Sequence, residues 1–230
     1  PDLFTRLKNG NITISPDPDP LIKTPKATYF ERQFSNQCAM HALNNLLGNN
    51  IFQIGSEEVI TEIKHGKNLI RKPTIMQICK TLDGLGGSFL IGTEGCGVNK
   101  EFPISVVITA LNLLGFFCYY NKGNITSNSP FLPWKWSDQT HKPIILDAIR
   151  QSHCIGFICT THPTNISHFF AIRKLDDGGI SVRNSLNDAP TIYNQPNLYK
   201  FLDYYSDYGY IPIYYHYSGN GSEKKYSCQV

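Results

Sequence analysis

The stretch "QFSNQCAMHALNNLLG", Gln33–Gly48, contains a cysteine where a polar loop gives way to an apolar segment. From Cys38 onward the apolar residues recur at the three- and four-residue spacing of an amphipathic helix, at Ala39, Leu43, Leu46 and Leu47. Glycine commonly ends a helix, as at Gly48, and Ser35 and Asn36 are both of types that cap a helix start. The pattern therefore predicts a helix whose first turn carries Cys38.

Position 38 allows three interpretations: a nucleophile, a metal ligand, or a small hydrophobic residue at a helix start. A cysteine nucleophile reacts as the thiolate, and a helix N-terminus stabilises that anion through its N–H groups and its dipole. Such a nucleophile also needs a base, and the base needs a group that holds it in place. The case for a catalytic Cys38 therefore depends on the histidines.

His41 lies three residues after Cys38, on the same face of the predicted helix. A base in the same turn leaves little room for a substrate, so this spacing favours a structural histidine packed under the helix. Cys38 and His41 also suit two ligands of a zinc site, but a structural zinc site needs four. His153-Cys154, and Cys154 with Cys159, have unsuitable spacing for a second pair, so we expect no metal.

A histidine and an asparagine are predicted to lie close together on a β-hairpin in the C-terminal half of the chain. The strand "HFFAIRKL" begins at His168, turns at Asp176-Asp177-Gly178 and returns as "ISVRNSL", which contains Asn184. If Gly178 is left-handed in a three-residue loop, Phe170 lies opposite Asn184. His168 is then a diagonal neighbour of Asn184, about 7–8 Å away at the backbone. The alternative is an ordinary hairpin whose inward face includes a histidine. However, papain-like cysteine hydrolases have the same order along the chain, with the cysteine first and the histidine and asparagine much later.

Composition and charge argue against several classes of protein. The chain has 230 residues and 41% hydrophobic content, enough for one substantial core. Its formal charge is +3 and its basic residues are scattered, so we expect neither nucleic acid nor a membrane as a partner. The seven cysteines are irregularly spaced and make a poor disulfide framework, which favours a reducing compartment, the cytosol or the nucleus.

The residue pattern predicts helices first and strands afterwards. Helical spacing recurs in "SEEVITEIKH", in "TIMQICKTLDGLG" and around Val106 to Leu114. After Gly115 come short aromatic and β-branched runs typical of strands: "FFCYYN", "CIGFICT", "HFFAIRKL", "ISVRNSL" and "YIPIYYHY". We therefore expect an α+β fold, in which a helical N-terminal half packs on an antiparallel sheet from the C-terminal half.

Prolines mark a boundary near the N-terminus. The stretch "SPDPDPLIKTPK", residues 15–26, holds four prolines and cannot continue a helix or a central strand. We predict an N-terminal extension or arm over 1–26, one domain over 27–218 and a C-terminal tail over 219–230. The apolar stretch "FPISVVITALNLLGFFCYY" is interrupted by polar residues and glycine, so it predicts a buried helix and strand rather than a membrane span.

Two motifs together resemble those of a known family. The segment "YFERQFSNQCAMHALNNLLGNN" resembles the Glu-x-Gln-x4-Cys-Ala-x-His-x-Leu-Asn-Asn signature of Josephin domains, a family of deubiquitinases. The segments "SHFFAIRKL" and "VRNSL" are similar to the family's second motif, and "PISVVITALNLLGF" and "YGYIPIYY" to further family segments. The resemblance runs from about Tyr29 to Tyr217. It departs at Arg183, where the family has an apolar residue, and at Val182, where it has Asn.

The resemblance implies a papain-like cysteine protease that hydrolyses the bond after the C-terminal glycine of ubiquitin through a thioester. By resemblance, Cys38 is the nucleophile, His168 its base, Asn184 the orienting group and Gln33 the side-chain donor to the oxyanion. Ubiquitin or polyubiquitin is then the partner, and we expect a monomer with no metal or organic cofactor. Two alternatives stay open: a thiol hydrolase or transferase acting on another acyl donor, and a non-catalytic ubiquitin-binding relative.

Overall fold

Helix α1 spans Cys38–Leu47, as the spacing of its apolar residues predicts. It ends as expected, because Gly48 is left-handed with φ of 69° and its N–H donates to the Asn44 carbonyl. The N-cap residue is Gln37, so the prediction of Ser35 or Asn36 as the cap is wrong; those two residues lie outside the described part of the chain. This computed structural model describes residues 29–33, 37–54, 61–65, 68–72, 74–84, 96, 101–121, 132–161 and 168–215.

The chain after α1 contains a β-hairpin where the sequence predicts a helix. Strand β1, Thr61–His65, pairs antiparallel with β2, Asn68–Lys72. The helix predicted from "SEEVITEIKH" is therefore wrong for its second half, and its first five residues lie outside the described residues. Thr61 and Ile63 are β-branched residues two positions apart, which suits a strand. The pairing with β2 makes this segment a strand rather than a helix, and a short run of sequence does not reveal that partner.

Two further helices of the first half are those that the sequence predicts, α2 (Ile75–Gly84) and α3 (Ile104–Leu113). The second half also contains two helices that its strand-rich pattern did not predict, α4 (Lys142–Arg150) and α5 (Gln195–Tyr204). Each has a proline in its first turn, where proline is favoured. Their buried residues recur at helical spacing, at Ile145 and Ala148 in α4 and at Leu198, Phe201 and Leu202 in α5.

A seven-stranded antiparallel sheet lies at the centre of the described structure, and every strand of it follows Gly115. Its neighbouring strands are in the order β3-β9-β5-β6-β7-β8, and β4 pairs with β9. Their bounds are β3 Phe116–Cys118, β4 Trp134–Lys135, β5 Cys154–Thr160, β6 Phe169–Lys174, β7 Ile180–Arg183, β8 Thr191–Tyr193 and β9 Gly209–Tyr215. The prediction of an antiparallel sheet from the C-terminal half is confirmed.

Helices cover both faces of this sheet, which explains why β5 and β6 are almost continuously apolar. Alternate residues of β6 reach two cores: Phe169 and Ala171 belong to one, and Phe170 and Ile172 to the other. The first core includes buried residues of α1, α2 and α3, and the second includes those of α4 and α5. Helix α1 contacts β5, β6 and β7. The expected α+β class is therefore confirmed.

The hairpin of β6 and β7 has the register that the sequence predicts. Gly178 is left-handed, with φ of 81°, and the N–H of Leu175 donates to the Gly179 carbonyl over 3.0 Å. At the other end Ala171 pairs with Arg183. Continued by one residue, this register sets Phe170 opposite Asn184, so the strands deliver His168 and Asn184 to the same end of the hairpin.

One feature of the cysteines differs from expectation. Cys79 of α2 forms a disulfide with Cys96, and their Cα atoms are 5.8 Å apart. The irregular spacing of the seven cysteines gave no indication of this pair. Because disulfides persist mainly in oxidising environments, the pair does not support the expectation of a reducing compartment.

The remaining expectations concern membranes and the ends of the chain. Within the described ranges no helix combines the length and the apolar character that crossing a membrane requires. The predicted arm over 1–26 and the predicted tail over 219–230 both lie outside the described residues.

Candidate active site

Cys38 is the first residue of α1, and its side chain lies against the start of β6. The sulfur accepts a hydrogen bond from the backbone N–H of Phe169, the residue that follows His168. Helix α1 packs on β5, β6 and β7. Cys38 is only 4% exposed. The fold thus brings the predicted nucleophile next to the residue that adjoins its predicted base.

The side chains of His168 and Asn184 form a hydrogen bond, with His168 Nε2 2.8 Å from Asn184 Oδ1. The same Oδ1 accepts the backbone N–H of Leu186 over 3.1 Å, which fixes the carboxamide. A carbonyl oxygen only accepts hydrogen bonds, so Nε2 carries the imidazole proton and Nδ1 keeps its lone pair. His168 is therefore held in the tautomer of a base that acts through Nδ1.

Gln33 lies beside the residue that follows Asn184. Its backbone N–H donates to the Ser185 carbonyl over 3.0 Å, and its Oε1 accepts the Ser185 hydroxyl over 2.8 Å. Because Oε1 carries the Ser185 bond, a donor role toward an oxyanion falls to Nε2. Gln33 and Asn184 thus belong to two chain segments that are bonded to each other.

Burial raises the pKa of the Cys38 thiol to about 11. Hydrogen bonds from the backbone N–H groups of Phe169, Ala39 and Cys38 itself oppose this change, and the last two belong to the helix start. The sequence predicts that the helix N-terminus favours a thiolate, but the cost of burying an anion outweighs that effect. Near neutral pH Cys38 therefore keeps its proton in this structure.

Burial lowers the pKa of His168 below its ordinary value of 6.5, although the bond to Asn184 opposes the change. The imidazole is therefore neutral near neutral pH. A neutral thiol that uses a neutral imidazole as its base must lose its proton to His168 as the sulfur forms a bond to carbon. The resting site is thus a thiol and base pair rather than a thiolate and imidazolium pair.

Glu101 is a charged residue near this pair that the sequence analysis missed. Its carboxylate charge raises the pKa of both Cys38 and His168. Glu101 is exposed and lies in the loop before α3. That loop carries no recognisable motif, so only the folded structure connects Glu101 with the site.

Glu31 ties its segment of the chain to α1. Its Oε1 accepts hydrogen bonds from His41 Nδ1, over 2.7 Å, and from Asn44 Nδ2, over 3.0 Å. Its backbone N–H donates to Asn45 Oδ1 over 2.8 Å, and Asn45 Nδ2 donates to its carbonyl over 3.0 Å. His41 is 8% exposed and bonded to a carboxylate. Of the three roles considered for His41, the structural one fits these contacts.

The contacts of the candidate zinc ligands do not fit a metal site. Among the described residues no group of three or more His, Cys, Asp or Glu side chains is arranged to hold a metal ion. The Cys38 sulfur accepts a backbone N–H, and His41 bonds Glu31. A structural zinc ion needs four converging ligands, which these residues do not supply.

No protein-family model matches the chain, and no curated protein matches it. The resemblance to Josephin domains therefore remains a prediction from the two motifs. The arrangement of Cys38, His168, Asn184 and Gln33 is a property of the described residues and is independent of that resemblance.

Proposed function

We propose that the protein is a cysteine protease of papain-like architecture that hydrolyses the bond after the C-terminal glycine of ubiquitin. One observation carries the proposed chemistry. The Cys38 sulfur, at a helix start, accepts a hydrogen bond from the backbone of Phe169, and the preceding residue, His168, is oriented by Asn184. A nucleophile, a base and an orienting group in this order suit acyl transfer. The proposed substrate is drawn from the resemblance of both motifs to Josephin domains.

The first half-reaction forms a thioester. The Cys38 sulfur attacks the glycine carbonyl carbon while its proton passes to Nδ1 of His168. The carbonyl oxygen becomes an oxyanion that accepts hydrogen bonds from the Cys38 backbone N–H and from Gln33 Nε2. His168 then gives its proton to the leaving amine as the carbon–nitrogen bond breaks. The glycine is left bonded to sulfur.

The second half-reaction returns the thiol. A water molecule attacks the thioester carbon and loses a proton to Nδ1 of His168, and the same donors hold the second oxyanion. The carbon–sulfur bond breaks, the proton on His168 returns to Cys38, and ubiquitin leaves as a C-terminal carboxylic acid that loses its proton to water. Asn184 keeps Nε2 protonated throughout, so Nδ1 is the only atom of the imidazole that exchanges protons.

The compartment and the oligomeric state belong to the same proposal. An enzyme that acts on ubiquitin conjugates works in the cytosol or the nucleus, here as a monomer, whereas the disulfide between Cys79 and Cys96 is more typical of an oxidising compartment. Thiol blocking in intact cells followed by peptide mass analysis tests the compartment, since Cys79 and Cys96 should be found alkylated. Sedimentation tests the oligomeric state.

The decisive experiment exposes the protein to ubiquitin that carries a C-terminal electrophile. We expect a one-to-one adduct, mapped by peptide mass to Cys38, and release of a fluorescent amine from the C-terminus of ubiquitin. Cys38→Ala should form no adduct. Cys118→Ala, which removes a second buried cysteine, is the matched control and should react like the unaltered protein.

Two outcomes would replace the proposal with one of its alternatives. Labelling of Cys38 by small acyl electrophiles, with none by ubiquitin, would indicate a thiol hydrolase or transferase for another acyl donor. Ubiquitin binding without any adduct would indicate a non-catalytic binding protein. Both experiments use the same full chain.

A further inference from the structure

Arg183 is a buried arginine at the end of β7, immediately before Asn184. It is only 1% exposed, and it occupies the position where the sequence resemblance leads us to expect an apolar residue. Burial, and to a lesser degree the charge of Arg173, lowers the pKa of Arg183 to about 10. The guanidinium still carries its charge near neutral pH. A buried charge is costly unless it is hydrogen-bonded, so its contacts indicate its role.

The guanidinium of Arg183 joins three segments of the chain. Its Nη1 donates to the Tyr29 carbonyl over 2.7 Å and to the Asn45 carbonyl over 3.0 Å. Its Nε donates to the Ser181 hydroxyl over 3.2 Å, within the same strand. Tyr29 lies four residues before Gln33, and Asn45 belongs to α1. One side chain therefore ties the Gln33 segment to the helix of Cys38 and to the strand of Asn184.

We propose that Arg183 is a positioning residue that acts through Gln33, by fixing the segment 29–33 between α1 and β7 so that the Gln33 amide reaches the oxyanion. This inference rests on the proposed function. Arg183 touches neither the substrate nor the reacting atoms in this role. It replaces the apolar contact expected at position 183 with hydrogen bonds that fix a backbone.

An arginine suits this position better than its alternatives. An apolar side chain would leave the buried Asn45 carbonyl and the partly buried Tyr29 carbonyl without this donor, and unsatisfied buried groups are costly. A lysine carries one compact ammonium group, whereas the planar guanidinium offers several donors in fixed directions. Arg183 is therefore expected to tolerate lysine poorly and methionine worse.

A second arginine provides a matched control for this segment. Arg32 Nη1 lies 2.6 Å from Asp188 Oδ1, so this pair also joins segment 29–33 to the chain that follows β7. The two side chains are 54% and 87% exposed. Exposed ion pairs contribute little because water and salt screen them. Arg32→Met thus removes the same kind of residue from the same segment without removing the buried hydrogen bonds.

The first test needs no substrate and measures amide hydrogen exchange. In Arg183→Met we expect the backbone amides of Glu31 and Gln33 to exchange about tenfold faster or more, the scale of one buried hydrogen bond. The paired amides of β5 and β9 should keep their rates, which separates a local effect from general destabilisation. Arg183→Lys should give an intermediate change, and Arg32→Met should give almost none.

The second test uses the fluorescent ubiquitin derivative and a double-mutant cycle. Arg183→Met should lower kcat by about tenfold or more with little change in KM. The reason is that the contact it weakens, between the Gln33 amide and the oxyanion, exists only in the transition state. In a Gln33→Ala background the same substitution should change kcat by less than about twofold, since the amide that it positions is gone. A purely structural arginine would reduce kcat equally in both backgrounds.

The outcomes separate this inference from the proposed function. Unchanged exchange at Glu31 and Gln33 in both Arg183 variants would overturn the inference, whether or not the protein hydrolyses ubiquitin. Faster exchange with additive losses in the cycle would also overturn it. If the unaltered protein does not turn over ubiquitin, the proposed function fails, and the exchange measurement then decides only whether Arg183 fixes segment 29–33. If Arg183→Met does not fold, Arg183→Lys carries both tests.

Discussion

His168 Nε2 lies 2.8 Å from Asn184 Oδ1, across a hairpin that turns at Asp176-Asp177-Gly178. Both residues lie just outside the paired strands, so their meeting depends on the register that the turn imposes. Side chains on a strand alternate between two faces, and a shift of one residue exchanges the faces. The length of an exposed turn at one end of the hairpin thus controls an imidazole at the other end.

Inserting one residue into Asp176-Asp177-Gly178 should therefore abolish hydrolysis although every proposed catalytic residue is present. The insertion shifts β7 against β6 and moves Asn184 to the opposite face, so His168 loses its acceptor. Turnover of the fluorescent ubiquitin derivative measures the effect. A one-residue insertion after Gln139, in another exposed turn, is the control and should not change the activity.

A change of conformation at Gly178 tests the same turn without changing its length. Gly178 has φ of 81°, and an added Cβ would meet nothing nearer than the side chain of Gln195, at 3.8 Å. The cost of Gly178→Val is therefore one of backbone conformation, about 1–3 kcal/mol of unfolding free energy. For the one-residue insertion into Asp176-Asp177-Gly178, by contrast, wild-type activity would show that the orienting group is not Asn184.

Cys38→Ala should eliminate both the ubiquitin adduct and turnover, while ubiquitin affinity and the helical signal in circular dichroism persist. Turnover is lost because only the sulfur of Cys38 forms the acyl bond. The fold persists because alanine favours a helix and fits this buried position. Calorimetric titration with ubiquitin measures the affinity. Turnover that survives in this variant would rule out Cys38 as the nucleophile.

Gln33→Ala should lower kcat by about a hundredfold or more with little change in ubiquitin affinity, because the amide acts on a charge that exists only in the transition state. Ser185→Ala should have a smaller effect in the same direction, since the Ser185 hydroxyl holds the acceptor end of that amide over 2.8 Å. Steady-state kinetics separates kcat from KM. A change confined to KM would make Gln33 a binding residue.

The parts of the fold that the sequence predicted are those whose signals are local. Helix α1 ends at Gly48 and the β6–β7 turn contains Gly178, and both glycines have the positive φ that their positions suggested. The register of that hairpin, and with it the contact of His168 with Asn184, follows from the turn alone. Helices α4 and α5 also carry local signals, which are a proline in the first turn and apolar residues at helical spacing.

The parts that could not be predicted depend on contacts between distant residues. Strand β1 exists because it pairs with β2, and a window of its own residues does not specify that partner. Arg183 bonds backbone carbonyls that are 154 and 138 residues away, so the sequence shows only an unexpected residue beside a motif. The charge of Glu101 reaches Cys38 only in the folded chain.

The rate of Cys38 alkylation should depend steeply on pH. Since burial raises the pKa of its thiol to about 11, the thiolate fraction and the rate with iodoacetamide should rise about tenfold per pH unit from pH 7 to 10. Near neutral pH the reaction should be slow, which differs from the fast labelling that a helix start alone predicts. A rate that is constant from pH 5 to 8, and falls in His168→Ala, would instead indicate a thiolate and imidazolium pair.

Glu101→Gln should move two titrations in the same direction. The carboxylate raises the pKa of both Cys38 and His168, so its neutral replacement should lower both. The alkylation profile of Cys38 should then shift to lower pH. Hydrolysis needs neutral His168, whose pKa already lies below 6.5, so the acidic fall in kcat/KM should shift lower as well.

These shifts should be clearest at low salt and should shrink at high salt, because Glu101 is exposed and its field is screened. Asp207→Asn removes an equal charge from an exposed turn and is the control, with both profiles unchanged. Shifts in opposite directions, or shifts that persist in molar salt, would show that Glu101 acts through a change of structure. A common shift that salt abolishes would establish Glu101 as an electrostatic control on the thiol and on its base.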